Sequence, residues 1–578
     1  MTHANARTFV LVWLALAALL IFGASLPHLA HASPLGNAVV SAPCGEAEFI
    51  AALNTVQSSG GGTITFACGN ASIPFTTFKN ISSNVVIDGA GAITLDGQQA
   101  TRFFMVLGGG SLTLRQIVLT DGNSGNDYGG AVYVHPGGTL ALEQSTIRNS
   151  TANGWAGGAI IDFQGAVTLT DSVIEGNQSS YGALNSTGAL TLIRTVVRNN
   201  TATVGGGGLS VGGAVTIQES LLEGNQAAVG GAIYVTESAA VTIYRSHFLL
   251  NVADAPVDIE AKGGAIISYG DLHISATTFE ANRAEGYGGA IAAGPGSNNA
   301  LTQITASTFA ANEAGERGGA IDNDRGRLDV INSTFSANRA AAGGAIQNFL
   351  GPASLYYVTF ADNEGGLGGV LDQHAFAGYV DDSRQRFNLY HTALAGAGNC
   401  AITDTPGPQP HFVSGGYNLS ADNSCAFFLN QTGDVNNTPA QLGGLLNNGG
   451  TTWTYLPTAG SPLIDAAPCL TDFTADQRGV SRPQGAFCDI GAVEAEPAPP
   501  TATPTHTPTR TPTAPPPTAT RTATPTATSP PTASPTPSPT VTLTPGPGTP
   551  TAIATATGTA TASPAPVLLP ADTPIPTL

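Results

Sequence analysis

The chain has 578 residues, of which 72 are glycine and only 10% are charged, with 20 Lys and Arg against 39 Asp and Glu. The formal net charge of −19 disfavours binding to nucleic acid, because such binding needs clustered cations that displace the counterions of the phosphates. This glycine-rich, weakly charged composition is also untypical of a helical globule, and it favours stacked β-strands that are joined by tight turns.

The N-terminus has the order of a secretory signal peptide. Arg7 precedes an apolar run over residues 9–23, and the small-residue motif Ala-His-Ala follows at 30–32. This order predicts a signal peptide over residues 1–32 that is cleaved after Ala32. A membrane anchor is the alternative, but the apolar run is short for a bilayer span. We therefore expect a secreted, extracellular or cell-surface protein with no membrane span after cleavage.

Export makes the six cysteines interpretable, since cysteines in an oxidising compartment tend to form disulfides. Sequence alone allows many connectivities, but the cysteines fall into local couples along the chain. We predict that these couples are the three disulfides, namely Cys44–Cys68, Cys400–Cys425 and Cys469–Cys488. A zinc site is the alternative, but the sequence has neither a CxxC spacing nor a histidine cluster beside these residues.

A short amphipathic helix is predicted over residues 46–56, where Ala47, Phe49, Ile50 and Leu53 share one stripe. A stack of repeats exposes apolar side chains at its ends and therefore needs a cap. We expect this helix to cover the first coil of the repeat region that follows it.

Two motifs recur through residues 45–395. A Gly-Gly-Ala-Ile motif, with small variations, has its first glycine at Gly129, Gly157, Gly230, Gly263, Gly288, Gly318, Gly343 and Gly368. Between these copies, an apolar residue lies three positions before each of Asn177, Asn200, Asn225, Asn251, Asn282, Asn312, Asn338 and Asn363. Successive asparagines are 23 to 31 residues apart, which is the spacing of a regular structural repeat.

Within each repeat, apolar residues alternate with small polar ones, as in residues 112–114, 167–169 and 241–243. This period of two predicts strands with one buried face, and two or three strands fit each repeat. We expect the asparagine to adopt the left-handed corner conformation and to stack its amide on the next coil. One coil buries too little apolar surface to offset the entropy of ordering it, so the coils must stack.

These repeats resemble those of polymorphic outer-membrane-type repeat proteins and other pectin-lyase-like β-helices. The resemblance implies an all-β, right-handed parallel β-helix, and we assign residues 33–394 to this fold. A β-propeller and a leucine-rich horseshoe are the alternatives. The sequence has neither the Trp-Asp signal of the first nor the Leu-x-x-Leu-x-Leu frame of the second.

The repeat then fades, and a different series of short motifs begins. Their order resembles that of the choice-of-anchor Q domain, which follows bacterial surface β-helices, in the segments Gly416–Ser420, Gly460–Asp465, Asp476–Gly479 and Cys488–Ala492. The resemblance implies a β-rich C-terminal cap over residues 395–496 and a surface role. Four of its residues, which are Asp465, Asp476, Arg478 and Asp489, suggest either a chemical site or a structural cluster. We favour turn-forming side chains and a structural Asp–Arg pair.

Residues 497–578 consist almost only of Thr, Pro, Ala and Ser. Such a composition is unable to bury a core, so the segment is predicted to be a disordered stalk or tether. It contains no sortase-type motif and no terminal basic cluster that would indicate covalent anchoring to the cell.

Pectin-lyase-like enzymes carry their sites on one outward sheet face, so the resemblance directs attention to the residue that follows each Gly-Gly-Ala-Ile motif. We expect this column to point outward, and it consists of Tyr133, Ile161, Asn185, Ser210, Tyr234, Ile267, Ala292, Asp322, Gln347 and Asp372. The polar end of the column predicts a glycan-facing patch, which comprises Asp322, Asn323, Asp324, Gln347, Asn348, Asp372 and His374.

Catalysis at this patch is the competing hypothesis. Two strand spacings separate Asp322 from Asp372, or ~9.6 Å, which is at the upper limit for an inverting glycosidase pair. Arg325 and Arg327 are candidates for a lyase base, but they are equally suited to neutralise Asp322 and Asp324. We therefore predict a cell-surface scaffold or adhesin-like protein that contacts an extracellular or cell-wall polysaccharide. A secreted polysaccharide lyase or glycoside hydrolase is the alternative.

No cofactor and no metal site are predicted, and Ca²⁺ is the alternative. Asp254, Asp258 and Glu260 share one long loop and offer oxygen ligands for Ca²⁺. The loop lacks EF-hand spacing, so a solvated acidic loop is the favoured interpretation.

Overall fold

The computed structural model describes residues 36–154, 156–255, 260–294, 300–374, 386–403 and 411–496. The predicted signal peptide and the predicted stalk lie outside the described residues. Within the described residues, the chain is an all-β parallel solenoid with a single helix, as the sequence predicts.

The largest sheet, which we call sheet A, has 27 strands in the described residues. Its strands are Ala38–Val40, Gly61–Phe66, Ala71–Pro74, Asn84–Asp96, Ser111–Thr120, Thr139–Glu143, Thr146–Arg148, Ala166–Thr170, Val173–Glu175, Ala189–Ile193, Val196–Arg198, Ala214–Gln218, Leu221–Glu223, Ala240–Tyr244, His247–Leu249, Asp271–Ser275, Thr278–Glu280, Leu301–Thr305, Thr308–Ala310, Arg327–Ile331, Thr334–Ser336, Pro352–Tyr356, Thr359–Ala361, Arg386–Tyr390, Ala393–Leu394, Phe412–Ser414 and Leu419–Ser420.

Two smaller parallel sheets complete the coils, and a two-stranded antiparallel pair follows them. Sheet B has 13 described strands, which are Lys79–Ile81, Phe104–Val106, Val132–Val134, Ile160–Asp162, Leu184–Ser186, Leu209–Val211, Ile233–Val235, Ile266–Ser268, Ile291–Ala293, Ile321–Asp324, Ile346–Phe349, Leu371–His374 and Cys400–Thr403. Sheet C has 8 described strands, which are Gln178–Tyr181, Thr201–Gly205, Gln226–Ala227, Val252–Ala253, Arg283–Ala284, Glu313–Ala314, Arg339–Ala342 and Glu364–Gly368. The antiparallel pair is Leu442–Leu446 with Thr454–Pro457.

A typical coil passes once through sheet B, twice through sheet A and once through sheet C. In one such coil, Ile266–Ser268 of sheet B precedes Asp271–Ser275 and Thr278–Glu280 of sheet A, and Arg283–Ala284 of sheet C follows. Each strand pairs in parallel with the equivalent strand of the neighbouring coils. The backbone hydrogen bonds of one coil therefore depend on the coils on both sides of it.

The interior is one continuous apolar core, which extends from Val40 to Leu429. Its most regular part is a stack of five buried phenylalanines, which are Phe248, Phe279, Phe309, Phe335 and Phe360. Their successive ring centroids are 4.7, 4.8, 4.7 and 4.9 Å apart, close to the spacing of paired strands. This continuity confirms that the apolar residue of each repeat faces the same interior.

The asparagines form the predicted ladder. From Asn177 to Asn338, each side-chain amide donates to the amide oxygen of the asparagine in the next coil, over 2.8–3.1 Å, and Asn363 is the last acceptor. The expected left-handed conformation was assigned to the wrong residue, however. It occurs at the residue immediately before each asparagine, as at Asn199 with φ of 52° and Ala281 with φ of 51°. This turn directs the asparagine side chain inward, where its amide also reaches a carbonyl oxygen of the preceding coil.

A second ladder, of hydroxyl groups, lies at the corner between the two strands of sheet A. The backbone N–H of Thr195, Ser220, Ser246, Thr277 and Ser307 each donates to the hydroxyl of the next coil, over 3.0–3.3 Å. Each of these residues lies five positions before a ladder asparagine, and this spacing is visible in the sequence. The hydroxyl ladder was not predicted.

Helix α1 (Glu46–Ser58) caps the first coil, and it buries Phe49, Ala52, Leu53 and Val56. The predicted stripe is thus right for Phe49 and Leu53, whereas Ala47 is exposed and Ile50 is only partly buried. The disulfide Cys44–Cys68 lies beside the helix, and the other two predicted couples, Cys400–Cys425 and Cys469–Cys488, are also bonded.

Glu46, the first residue of helix α1, links the helical cap to the solenoid through hydrogen bonds. Burial opposes ionisation of Glu46, but hydrogen bonds from Lys79, Thr76 and Thr77 lower its pKa to about 2. The backbone N–H groups of Thr76 and Thr77 donate to the two carboxylate oxygens over 3.0 and 3.1 Å.

The C-terminal region first extends the solenoid and then returns along its side. Strands Cys400–Thr403, Phe412–Ser414 and Leu419–Ser420 continue sheets B and A. Residues 440–495, which we call the C-terminal strap, then pack on the outer face of sheet A. Gln477 contacts Thr308 and Thr334 there, because its amide donates to one hydroxyl over 2.9 Å and accepts from the other over 2.6 Å.

Tyr455 of the strap provides a test of this contact. Its hydroxyl lies 2.7 Å from the hydroxyl of Ser336 and donates to Asp362 over 2.9 Å. We expect Tyr455→Phe to lower the free energy of unfolding by about 1–2 kcal/mol, because it leaves both partners short of one hydrogen bond. Chemical denaturation would measure this loss. Tyr244→Phe, on a partly exposed side chain of sheet A, is the matched control, and an equal effect of both changes would contradict the role of the strap.

Candidate functional site

The residues of the predicted outward column lie next to one another, in register, on successive strands of sheet B. Ala292 pairs with Asp322, Asp322 with Gln347, and Gln347 with Asp372. The preceding residue of each strand, such as Ile291 or Ile321, belongs to the interior core, so the column faces away from the core.

Most of the column is nevertheless buried. Ile161, Ile267, Gln347 and Asp372 are 0% exposed and Asp322 is 7% exposed. Only Tyr133, Asn185 and Tyr234 of the column are partly exposed. The expectation of an open outward face is therefore wrong for most of its length.

The tight turn at the Gly-Gly pair of each motif, which we call the glycine corner, explains this burial. The first glycine of the motif has a positive φ in seven of the eight copies, such as 59° at Gly230 and 64° at Gly318, and in the last copy the second glycine, Gly369, has it. The tight turn brings the corner onto the sheet. A Cβ atom at Gly230 would lie 2.8 Å from the Cγ2 atom of Ile267, and one at Gly318 would collide with the carbonyl oxygen of Ile321. Glycine is required because any other side chain would occupy the space against the column.

Asp322 is the most perturbed carboxyl group of this face. Burial raises its pKa to about 7, and the nearby charge of Asp324 acts in the same direction. Lys262 and Arg317 oppose the shift. No hydrogen-bond donor among the described residues reaches Asp322. A carboxyl group whose pKa is strongly shifted by burial and by neighbouring charges is a candidate functional residue.

Gln347 is the neighbour of Asp322 in the next strand, and it also lacks partners. Its side chain is 0% exposed, and neither its Nε2 nor its Oε1 atom makes a hydrogen bond within the described residues. An unpaired buried amide costs about 1–3 kcal/mol for each unsatisfied group. Asp322, which receives no hydrogen bond from the described residues, and the unsatisfied amide of Gln347 thus lie side by side.

Asn323 and Asn348, which were predicted to face a glycan, instead face the interior. Both are 0% exposed, and the Asn323 amide donates to Asn348 over 2.7 Å. The Asn348 amide donates to Gln373 over 2.8 Å in the same way. They lie in register with Ala293 of the core, so they form an internal amide ladder and are removed from the patch.

The two predicted arginines do not neutralise Asp322. Arg325 lies beside Asp324, with 3.6 Å between Nε and Oδ1, and its guanidinium lies 5.9 Å from the ring of Phe349. Burial raises the pKa of Asp324, and Arg325 counteracts part of that shift. Arg327 pairs over 2.7 Å with Asp329 of sheet A and points away from this site.

Lys262, Tyr287 and Arg317 form the wall beside Asp322, and the sequence analysis missed them. They occupy one column, since Tyr287 forms parallel bridges to both of the others. The Lys262 ammonium lies 5.1 Å and the Arg317 guanidinium 5.2 Å from the Tyr287 ring centroid, so the ring lies between two cations. All three directly precede a Gly-Gly pair, which is the sequence signal that would have identified them.

The last coil adds a polar network to the same face. The Thr403 hydroxyl donates to Asp372 over 2.8 Å and lies 3.0 Å from the Nδ1 atom of His374. Asp372 and His374 are therefore brought together as predicted, whereas Thr403 was not foreseen.

The four C-terminal residues that suggested either a chemical site or a structural cluster stabilise the strap. Asp476 and Arg478 form a buried ion pair, and Asp489 accepts hydrogen bonds from the backbone of Asp465 and Ala495 over 2.7 and 2.6 Å. Burial raises the pKa of Asp489 to about 6. This arrangement matches the structural interpretation.

The described residues contain no cluster of three or more His, Cys, Asp or Glu side chains that is suited to a metal ion. Of the calcium candidates, Asp258 lies outside the described residues, and Glu260 pairs with Lys262 over 2.9 Å. No helix in the described part of the chain is long and apolar enough to cross a lipid bilayer. In comparisons with known proteins, no family model matches the sequence and no curated protein is significantly similar to it.

Proposed function

We propose that this chain is a secreted, surface-type β-solenoid that binds a polysaccharide in the groove around Asp322. The observation that carries the proposal is the largely buried carboxyl group of Asp322, which has no hydrogen-bond donor among the described residues and pairs in register with Gln347. A sugar hydroxyl donates to a carboxylate, so a glycan would supply the donor that Asp322 lacks.

The groove wall supports the same ligand class. Tyr287 contributes a partly buried aromatic ring whose faces lie against Lys262 and Arg317, and these two cations offer hydrogen-bond donors. Sugars combine apolar ring faces with hydroxyl groups, and sites that bind such ligands mix aromatic side chains with a few convergent polar groups.

Export and display are part of the proposal. The signal-peptide pattern at residues 1–32 supports secretion, and the three disulfides are typical of an oxidising compartment. The resemblance to pectin-lyase-like helices and to the choice-of-anchor Q domain supports a surface location, with residues 497–578 as a stalk.

A polysaccharide hydrolase or lyase is the second candidate, and the raised pKa of Asp322, about 7, favours it. A carboxyl group that is half protonated near neutral pH is suited to general acid–base chemistry. The second carboxyl group, Asp372, is two strands away, or ~9.6 Å, and an inverting pair at that separation is at the geometric limit. Binding without turnover therefore remains the primary proposal.

A polysaccharide panel would test the proposal. We expect the purified protein to bind one or more polysaccharides without releasing products. We expect Asp322→Asn to weaken that binding by about ten-fold or more, because it removes the charged acceptor. Titration calorimetry would measure the affinity, and product analysis would detect cleavage.

Asp472→Asn, at an exposed carboxyl group of the strap, is the matched control and should leave binding unchanged. Absence of binding to every polysaccharide would contradict the proposal, as would binding that Asp322→Asn does not weaken. Turnover that disappears in Asp322→Asn would replace it with the enzymatic candidate.

A further inference from the structure

A concave site lies on sheet B, away from Asp322. It is lined by Tyr234, Thr236, Glu237, Ser238 and Tyr269, and its volume is about 540 Å³. These residues come from two consecutive coils, since Tyr234 pairs with the coil that contains Tyr269. We call this site the tyrosine pocket.

The aromatic rings of the tyrosine pocket are inclined to one another. The centroids of Tyr234 and Tyr269 are 5.6 Å apart with their planes at 51°, and Tyr181 packs against Tyr234 from the other side, at 6.0 Å and 68°. All three side chains are only partly buried. The rings therefore fix one another in place while part of their surface stays open to a ligand.

The polar residues of the pocket lie at its rim. Glu237 and Ser238 are exposed, and the Ser238 hydroxyl donates to the carbonyl oxygen of Gly212 over 3.1 Å, which holds the turn in place. The lining contains one carboxylate and two hydroxyl-bearing turn residues but neither Lys nor Arg. Acceptors around an aromatic surface suit the hydroxyl groups and the apolar ring face of a sugar. A uronate or sulfated sugar would be repelled by Glu237 and by the net charge of −19.

The tyrosine pocket and the Asp322 groove lie on one line. Tyr234, Ile267, Ala292 and Asp322 are successive partners in sheet B, so three strand spacings, or ~14 Å, separate Tyr234 from Asp322. The two residues between them are apolar and buried, so the polar contacts of this line are concentrated at its two ends.

We propose that the tyrosine pocket is a subsite for a neutral sugar and that the ligand is an extended, neutral polysaccharide chain that runs along sheet B. One chain of several sugar units spans both sites, with one unit against Tyr269 and Glu237 and a later unit at Asp322. This inference rests on the proposed function, because it assumes that the Asp322 groove binds a glycan. It adds the charge class, the direction and the minimum length of that glycan.

Titration calorimetry with defined oligosaccharides would test the inference. The probes are cellohexaose, mannohexaose and xylohexaose, their disaccharide counterparts, and hexagalacturonate. We expect at least one neutral hexasaccharide to bind more tightly than its disaccharide and than hexagalacturonate. We expect Glu237→Gln and Tyr269→Ala each to weaken hexasaccharide binding by about ten-fold, as Asp322→Asn does.

Glu223→Gln and Tyr244→Ala, on sheet A, are the matched controls and should leave hexasaccharide binding unchanged. Glu237→Gln is conservative and exposed, so its effect would not be confused with misfolding. Tighter binding of hexagalacturonate would overturn the neutral class. Loss of hexasaccharide binding in Asp322→Asn but not in Glu237→Gln or Tyr269→Ala would overturn the subsite and leave the proposed function intact. Absence of all binding would overturn both.

Discussion

Replacing Asn200 with alanine should destabilise the solenoid by about 3–5 kcal/mol, because the change removes an asparagine that is bonded to ladder residues on both sides. The Asn200 amide donates to the carbonyl oxygen of Ile174 and to the Asn225 side chain, both over 3.0 Å. Its Oδ1 atom accepts from the backbone and from the side chain of Asn177, over 2.9 and 3.0 Å. Alanine would leave donors and acceptors of three coils unsatisfied in a dry interior.

The preceding residue offers a matched control. Asn199 is exposed and adopts a φ of 52°, a conformation that glycine tolerates without strain. We expect Asn199→Gly to change the free energy of unfolding by less than ~1 kcal/mol. Chemical denaturation followed by circular dichroism would measure both variants. Similar stabilities for Asn200→Ala and the wild type would contradict the structural role of the ladder.

Replacing Asp322 with asparagine should stabilise the protein at alkaline pH. The pKa of Asp322 is raised from 3.8 to about 7 in the folded protein, chiefly by burial. Between about pH 4 and pH 7 the folded state therefore binds more protons than the unfolded state, so the wild type loses stability as the pH rises. By linkage, this loss is on the order of 4 kcal/mol above pH 7, and asparagine removes it.

The measurement is the free energy of unfolding of both proteins from pH 4 to pH 9. The advantage of Asp322→Asn should be absent near pH 4, grow as the pH rises through 7 and then level off. Asp472→Asn, at an exposed carboxyl group, should show no such profile. Equal stability of Asp322→Asn and the wild type at pH 9 would show that the carboxylate has a partner in the folded protein. A variant that is more stable yet binds glycan more weakly would separate function from folding.

The position of Asp322 could be predicted from the sequence, but its environment could not. The residue follows a Gly-Gly-Ala-Ile motif, and the alternation of buried and outward side chains places it on the outer face of sheet B. Its burial arises from the glycine corner. Lys262 and Arg317, whose charges lower the pKa of Asp322, lie at a different position of the repeat. Such contacts depend on how tightly the corner folds back, which is a property of three dimensions.

Asn323 and Asn348 show a different limit of prediction from the sequence. They were grouped with Asp322 because all are polar, although the same alternation, applied one residue further, directs them inward. An inward polar side chain is expected to be excluded from an apolar core unless it finds partners. The partners are the amides of the neighbouring coils, 2.7 Å away for Asn323 and Asn348. The pattern of a single coil contains no information about this bond.

The sequence by itself determined the repeat, the parallel stacking of strands, the asparagine ladder and the three disulfides. Each of these features recurs along the chain or joins residues that are near one another in it, so local patterns are sufficient to reveal them. Only the tertiary structure decided that the strap packs along sheet A, and that Lys262 and Arg317 lie close to Asp322. Those contacts join residues of different coils and different corners, and the closure of the backbone at glycine sets their distances and their exclusion from water.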